Sequence, residues 1–153
     1  MSGIVGKSPY MNSGTVGKGL IGSVIQVVTD ENASSVETTS TDFQATGLSA
    51  TITPTSASSK IQIHAAVTSD SDANNRAIDF ALYKAGSALV ARIWYVHGGE
   101  SRIISGSTSL YIDSPASTSA ITYAIMFKSI GGNRIYGSYS TTYAHITLTE
   151  IGA

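Results

Sequence analysis

Hydrophobic and polar residues alternate with a period of two along most of the chain beyond residue 22. The alternation is clearest in residues 61–68, where Ile61 and Ile63 belong to one side and Gln62 and His64 to the other. Successive side chains of a β-strand point to opposite faces, so this pattern predicts strands that bury one face. The same pattern recurs in residues 23–29, 47–53, 77–83, 121–128 and 146–151.

Turn-forming residues separate these runs. Proline and serine interrupt the chain in residues 54–59 and 113–117, and glycine-containing triplets at 85–87 (AGS) and 131–133 (GGN) predict tight hairpins. No stretch carries the apolar spacing of an amphipathic helix. About eight to ten short strands at regular spacing indicate an all-β domain over residues 23–153, an antiparallel β-sandwich of jelly-roll type.

Residues 1–22 differ from the rest of the chain. The segment is rich in glycine and has no sustained period, so it offers little apolar surface to offset the entropy lost on ordering. We expect an extended N-terminal arm that orders on a partner. The segment contains a near-repeat, SGIVGK at 2–7 and SGTVGK at 13–18. The repeat arises either by chance or because the arm binds one partner groove, or two similar grooves, twice. The predicted partner contacts are its apolar residues, Ile4, Val5, Tyr10, Met11, Val16, Leu20 and Ile21.

Composition narrows the range of partners. Charged residues make up 12% of the chain, about half of the ~25% typical of soluble domains, whereas there are 24 serines and 17 threonines. Strands that alternate apolar residues with small hydroxyls have weakly charged outer faces, which suit packing against another copy. We therefore predict a homo-oligomer and favour a trimer. The net charge of −1 argues against nucleic-acid binding, which normally needs a basic face.

Other broad classes are disfavoured as well. No apolar run reaches the ~18–20 residues of a membrane helix. The N-terminal sequence MSGIVGKSPY lacks the apolar core of a secretory signal, so we expect no secretion. The absence of cysteine excludes disulfides, thiolate metal sites and cysteine nucleophiles.

Two motifs fail their chemical requirements. Residues 70–74 (DSDAN) place oxygen ligands as a calcium loop does, but Asn75 replaces its glycine and Ala81 its bidentate carboxylate, which favours a polar hairpin tip. The GKS at 6–8 is similar to the end of a phosphate-binding loop, but Met1 stands where that loop needs its first glycine.

No catalytic constellation can be named. His64, His97 and His145 lie in three separate segments, and although strands can converge, we interpret them as ordinary polar residues rather than a zinc site. No G-x-S-x-G nucleophile motif occurs, and no two carboxylates stand out as an acid/base pair. We predict a protein without enzymatic activity, cofactor or metal.

The aromatic residues offer a binding alternative. Trp94 and Tyr95 precede Glu100, and aromatic rings beside acidic groups can hold sugars, so these three residues are candidate glycan contacts. Adjacent residues of a strand point to opposite faces, which means that Trp94 and Tyr95 cannot both enter the same core. A structural role for Trp94, in the core or a subunit contact, is the favoured interpretation.

Several short segments of the sequence resemble a known protein family. Residues 47–61 (GLSATITPTSASSKI), 110–115 (LYIDSP) with 122–123 (TY), and 146–151 (ITLTEI) resemble small β-sandwich virion proteins of tailed bacteriophages, of head-decoration or tail-fibre type. The resemblance covers roughly residues 20–153, and the arm is similar to leaders found in that group. It implies a non-enzymatic, oligomeric structural role and does not give the position on the particle. We expect the exterior surface of the virion, with assembly in the host cytoplasm.

Two functions follow as expectations. The first is a capsid decoration protein whose arm binds the major capsid protein, or another virion protein, and whose sandwich forms the outward oligomeric body. The alternative is a tail- or head-fibre module that recognises host surface glycan through Trp94, Tyr95 and Glu100. A carbohydrate-active enzyme ranks well below both.

Overall fold

The computed structural model describes residues 22–71, 77–85, 88–97, 103–138 and 144–152. Within these ranges the protein is all-β and contains no helix. The described strands are β1 (Val24–Asn32), β2 (Val36–Thr38), β3 (Gln44–Ile52), β4 (Lys60–Ser71), β5 (Ala77–Lys84), β6 (Ala88–His97), β7 (Ile103–Asp113), β8 (Ile121–Ile130), β9 (Ile135–Ser138) and β10 (Ala144–Ile151).

The strands form two antiparallel sheets that pack face to face. In sheet I the order is β1-β10-β4-β7. The last residues of β4 extend past β10 and pair with β9, and β9 pairs with β2. In sheet II the order is β3-β8-β5-β6. Of the eight longer strands, only the consecutive pair β5 and β6 stays in one sheet; every other step crosses to the opposite sheet. This connectivity is that of a jelly roll, and it confirms the predicted β-sandwich.

The core lies between the sheets, where the alternation places it. Ile61 and Ile63 on β4 are at most 2% exposed, and Phe80 of β5 stacks on Phe127 of β8 with ring centroids 6.1 Å apart. The largest fully buried side chains are Tyr123, Phe80, Phe127, Leu48, Ile52, Ile61, Ile78, Leu82, Ile125, Ile135, Ile146 and Leu148. They come from both sheets, so neither sheet can keep its inner face dry without the other.

Side chains close the two long edges of the sandwich. On one edge, Asn32 of β1 donates a hydrogen bond from Nδ2 to the carbonyl oxygen of Thr46 in β3, at 2.9 Å. On the other edge, Trp94 of β6 donates from Nε1 to the carbonyl oxygen of Thr108 in β7, at 2.8 Å. Each bond satisfies a backbone carbonyl and links sheet I to sheet II.

Two predicted turns have different outcomes. Strands β5 and β6 pair on either side of residues 85–87, with Lys84 opposite Ala88, as a hairpin requires. The hairpin prediction at 131–133 is wrong, because β8 belongs to sheet II and β9 to sheet I. Gly131 and Gly132 both have positive φ, 96° and 76°, so glycine is needed there for a turn that carries the chain across the sandwich.

The acidic segment at residues 70–74 begins in a strand rather than in a loop. Asp70 and Ser71 are the last residues of β4 and are 1% and 2% exposed. Asp72 and Asn74, the other candidate ligands, lie outside the described residues. The described part of the pattern is therefore strand rather than hairpin tip.

The arm stays a prediction. Residues 1–21, which include all seven predicted partner contacts, lie outside the described residues. What the structure gives is the point of attachment: the Gly22 amide donates to the Gly152 carbonyl at 2.6 Å, and the Gly152 amide to the Ser23 carbonyl at 2.8 Å. Residues 1–21 therefore join the sandwich beside the end of β10, at the β1 edge of sheet I.

Gly47 lies in an irregularity of β3, where pairing with β8 shifts between Ala45 and Ser49. Its φ is +81°, a conformation that L side chains rarely adopt. A Cβ at this position would lie 2.7 Å from Nδ2 of Asn32, the atom that bonds Thr46 across the edge. A side chain here would therefore strain the backbone and displace the edge-closing amide.

We predict that Gly47→Ala lowers the free energy of unfolding by about 2 kcal/mol, from left-handed strain and a lost hydrogen bond. Gly22→Ala is the matched control, since Gly22 also has positive φ (+84°) but a Cβ added there would meet nothing within 4 Å. Urea denaturation of both variants checks this. Equal losses in the two variants would contradict a role for the Asn32 contact.

Candidate functional site

The middle of the outer face of sheet I, where β1, β10, β4 and β7 lie side by side, carries little charge. We define this neutral face as the outward side chains in the four cross-strand rows through Gln62, His64, Ala66 and Thr68 of β4. Its members are Val27, Thr29, Glu31, Gln62, His64, Ala66, Thr68, Gly106, Thr108, Leu110, Ile112, His145, Thr147 and Thr149. Among these members Glu31, on the edge strand β1, is the only carboxylate, and there is no lysine or arginine.

The alternation is inverted on β7, the opposite edge strand of sheet I. Its inward positions include Ser105, Ser107 and Ser109, all half-buried. Its outward side chains Leu110 and Ile112 are 59% and 52% exposed. A strand that served only its own core would have the opposite arrangement.

Two histidines meet at the centre of the neutral face. His64 of β4 and His145 of β10 have ring centroids 5.7 Å apart, and both are half-buried. His97, the third histidine, is exposed at the end of β6 in sheet II. The described residues contain no group of three histidine, aspartate or glutamate side chains that could hold a metal ion.

The outer face of sheet II has a different chemistry. Tyr95 is 61% exposed, and its ring stacks on His97 with an interplanar angle of 13° and centroids 6.4 Å apart. Beside them, the buried Asp79 carboxylate lies 3.3 Å from Nη1 of the exposed Arg92. We call this surface, formed by Asp79, Arg92, Tyr95, His97 and Lys128, the aromatic face.

The aromatic face holds an incompletely satisfied acid. Asp79 is 1% exposed, and its Oδ2 atom accepts no hydrogen bond, although Arg92 is close enough for an ion pair. Lys128 lies opposite Asp79 on β8, with Nζ 4.9 Å from the centre of the Phe43 ring. The surface therefore combines flat rings with two cations.

The candidate glycan contacts separate. Tyr95 lies on the outer face, whereas Trp94 points inward, half-buried, with its ring edge-on to Phe80 at 5.8 Å and its Nε1 bonded to Thr108. Glu100 lies outside the described residues. Sequence reasoning anticipated that Trp94 and Tyr95 diverge, but it missed His97, which the two-residue spacing places on the same face as Tyr95. It also missed Arg92, which joins that face because the pairing of β6 with β5 shifts between Trp94 and Arg92, and no local pattern shows this shift.

An ion-pair cluster joins the sheets at one end. Asp113 of β7 accepts hydrogen bonds at Oδ2 from Tyr123 Oη, at 2.6 Å, and from Lys84 Nζ, at 2.7 Å. Burial opposes ionisation of Asp113, but the bonds from Lys84 and Tyr123 lower its pKa overall. Burial, followed by the Asp113 carboxylate, raises the pKa of Tyr123, so this phenol stays a donor. Because Tyr123 and Lys84 donate and Asp113 accepts, the cluster is suited to a structural role that holds the two sheets together.

Glu150 secures the region where the arm is attached. This carboxylate of β10 is 0% exposed; it accepts bonds from Gln26 Nε2 at 2.7 Å, and from the amide and hydroxyl of Thr55 at 2.8 and 2.7 Å. Burial opposes its ionisation, but the hydrogen bonds from Gln26, Ser59 and Thr55 outweigh burial and hold the pKa of Glu150 at about 2. One ionised group thus ties β1, β10 and the β3–β4 loop together.

The comparisons with known proteins add no assignment. No protein-family model matches the chain, and no curated protein matches it. The resemblance to phage virion proteins therefore stays a prediction. In the described ranges there is also no helix long and apolar enough to cross a membrane.

We predict that stability falls in acid through Glu150. Its folded pKa of about 2 lies below the ordinary value of 4.5, so its contribution is complete above pH 4.5 and is lost as the pH falls toward 2. The difference corresponds to about 3 kcal/mol. Glu150→Gln should remove this part of the pH dependence, because the amide group of glutamine does not titrate between pH 6 and pH 2.

Unfolding free energies of the wild type and Glu150→Gln between pH 6 and pH 2 test this prediction. Glu37→Gln, at an exposed position of β2, is the control and should follow the wild-type profile. Parallel profiles for the wild type and Glu150→Gln would contradict the assignment.

Proposed function

We propose that this protein is a non-enzymatic structural component of a tailed-phage virion, an oligomeric capsid decoration protein anchored by its N-terminal arm. The observation that carries the oligomeric body is the neutral face, with its outward apolar residues on β7. Exposed apolar side chains grouped on one strand favour a protein partner. The phage assignment itself rests on the sequence resemblance described above.

The arm is suited to anchoring. A glycine-rich segment without its own core can lie along a partner and gain backbone contacts as it orders. It is attached at the β1 edge, where the hydrogen bonds from Gly22 to Gly152 and from Gly152 to Ser23, together with the Glu150 cluster, fix its starting point. The arm would bind the major capsid protein while the sandwich stays outside the shell.

Deletion of residues 2–18 should leave a folded, self-associating sandwich that no longer joins particles. A sharper variant keeps the arm length and replaces Ile4, Val5 and Val16 by serine; we expect at least ~100-fold weaker binding, from about 1 kcal/mol per lost apolar contact. The matched control replaces Ser2, Ser8 and Ser13 by alanine. Binding to particles assembled without the protein is measured by co-sedimentation.

Retained incorporation of the deletion variant would refute arm anchoring. Copy number on a stained gel of purified virions separates the two locations: hundreds of copies per particle support decoration, whereas a few dozen support a fibre.

A second function, glycan recognition by a fibre module, is favoured by one specific observation. The stacked rings of Tyr95 and His97 form an exposed, flat platform beside the guanidinium of Arg92. Apolar faces of sugars pack on such rings, and charged donors bind their hydroxyl or acidic groups. This site uses Tyr95 without Trp94, whose indole N–H is already bonded to Thr108.

If the protein binds glycan, Tyr95→Ala should reduce binding on a glycan array at least ~10-fold, since stacking on one ring contributes about 1 kcal/mol or more. Leu89→Ala, also on β6 and 50% exposed, is the control and should bind as the wild type does. Equal binding by both variants, or no glycan bound by the wild type, would exclude this site.

A further inference from the structure

The outward apolar residues of β7 need a cover that their own chain does not supply among the described residues. Ile104, Leu110 and Ile112 are all more than half exposed, while serines occupy inward positions of the same strand. Burying such side chains is worth about 1.5–3 kcal/mol each. Strand register fixes which face they occupy, and β7 pairs with β4 without a shift from Ile103 to Asp113.

We propose that the neutral face is the surface through which a second copy of this chain packs against the first. The proposal rests on the oligomeric body of the proposed function and names its interface. The contact would be sheet on sheet, with Leu110 and Ile112 as apolar anchors and the threonines as the small residues that allow close approach.

Charge favours a copy of the same chain as the occupant. Between Glu31 on the β1 edge and the uncharged β7 edge, the face presents hydroxyl, imidazole, amide and apolar groups. A neutral surface matches another neutral surface without burying an unpaired charge, and two copies meet this condition automatically. The aromatic face, with Arg92 and Lys128, does not match it and would stay outward.

Size points the same way. Four strands at ~4.8 Å spacing and eight residues at ~3.3 Å rise give a projected area of roughly 500 Å². Because side chains project from the sheet, the solvent-accessible area of the face is larger than its projected area and approaches the ~800 Å² per partner of stable interfaces. The large apolar residues lie at both edges of the face, Val27 on β1 and Leu110 and Ile112 on β7, three strand spacings apart, so one occupant must span the whole width to cover them. One extended segment such as the arm covers a single strand width, so a second sheet is the better occupant.

The test uses the full chain and two substitutions on the neutral face. Leu110→Lys places a charge among the apolar anchors. Gly106→Arg places one where a Cβ meets nothing within 4 Å, so the subunit itself can fold undisturbed. Leu89→Lys, on the outer face of sheet II at 50% exposure, is the matched control. Sedimentation equilibrium gives the association constants, and circular dichroism with thermal melting verifies folding.

We expect both neutral-face variants to associate at least ~100-fold more weakly, with native spectra, and Leu89→Lys to stay within ~3-fold of the wild type. If Leu110→Lys does not fold, the association constant of Gly106→Arg alone tests the proposal. Undiminished association of the folded variants overturns the proposal, as does a wild type that is monomeric at about 100 μM.

Deletion of residues 2–18 separates this proposal from the proposed function. A deletion variant that still associates but does not join particles supports both. Association through the neutral face together with undiminished particle binding contradicts arm anchoring and supports the interface. A monomeric full chain whose deletion variant associates means that the arm covers the face, and overturns the interface.

Discussion

The structure depends on one constraint: a β-strand has two faces, and a two-layer sandwich buries only one face of each sheet. In this chain the inner faces form a continuous core that includes Phe80, Tyr123 and Phe127. The two outer faces are therefore free to differ, and they do. The neutral face of sheet I includes one carboxylate, Glu31, whereas the aromatic face of sheet II includes stacked rings and cations.

The alternation in the sequence is sufficient to predict the strands whose apolar residues face the core, such as residues 61–68, and it places Glu150 on the inward side of the last strand. It could not predict β7, because residues 103–109 (IISGSTS) alternate serine with other small residues and their apolar neighbours face outward. The pairing of His64 with His145 depends on the register of β10 against β4, which no local pattern specifies. Turn chemistry is equally ambiguous: the two glycines at 131–132 supply positive φ for a crossover as readily as for a hairpin.

With few charges available, the chain places several of its carboxylates inside. Glu150 is held ionised by neutral donors and Asp113 by a lysine and a phenol, whereas the Asp79 carboxylate lies 3.3 Å from Arg92. The first two sites join separate elements, so their desolvation is offset by bonds that fix the ends of the sandwich. The contact of Asp79 joins only neighbouring strands, and its Oδ2 atom accepts no hydrogen bond. The aromatic face therefore keeps a buried polar atom whose hydrogen bonding is not satisfied.

The proposed arm and the proposed interface would reinforce each other by geometry. The arm begins at Gly22 beside the end of β10, so it is attached at the margin of the same sheet whose outer face would meet a second copy. Packing copies through that face would bring their points of arm attachment close to one another. A glycine-rich arm binds weakly by itself because it loses much entropy on ordering, but once one arm is docked the next binds at a high effective concentration. Self-association of the sandwich would thus convert several weak anchors into one durable attachment, while the aromatic face remains available on the outside.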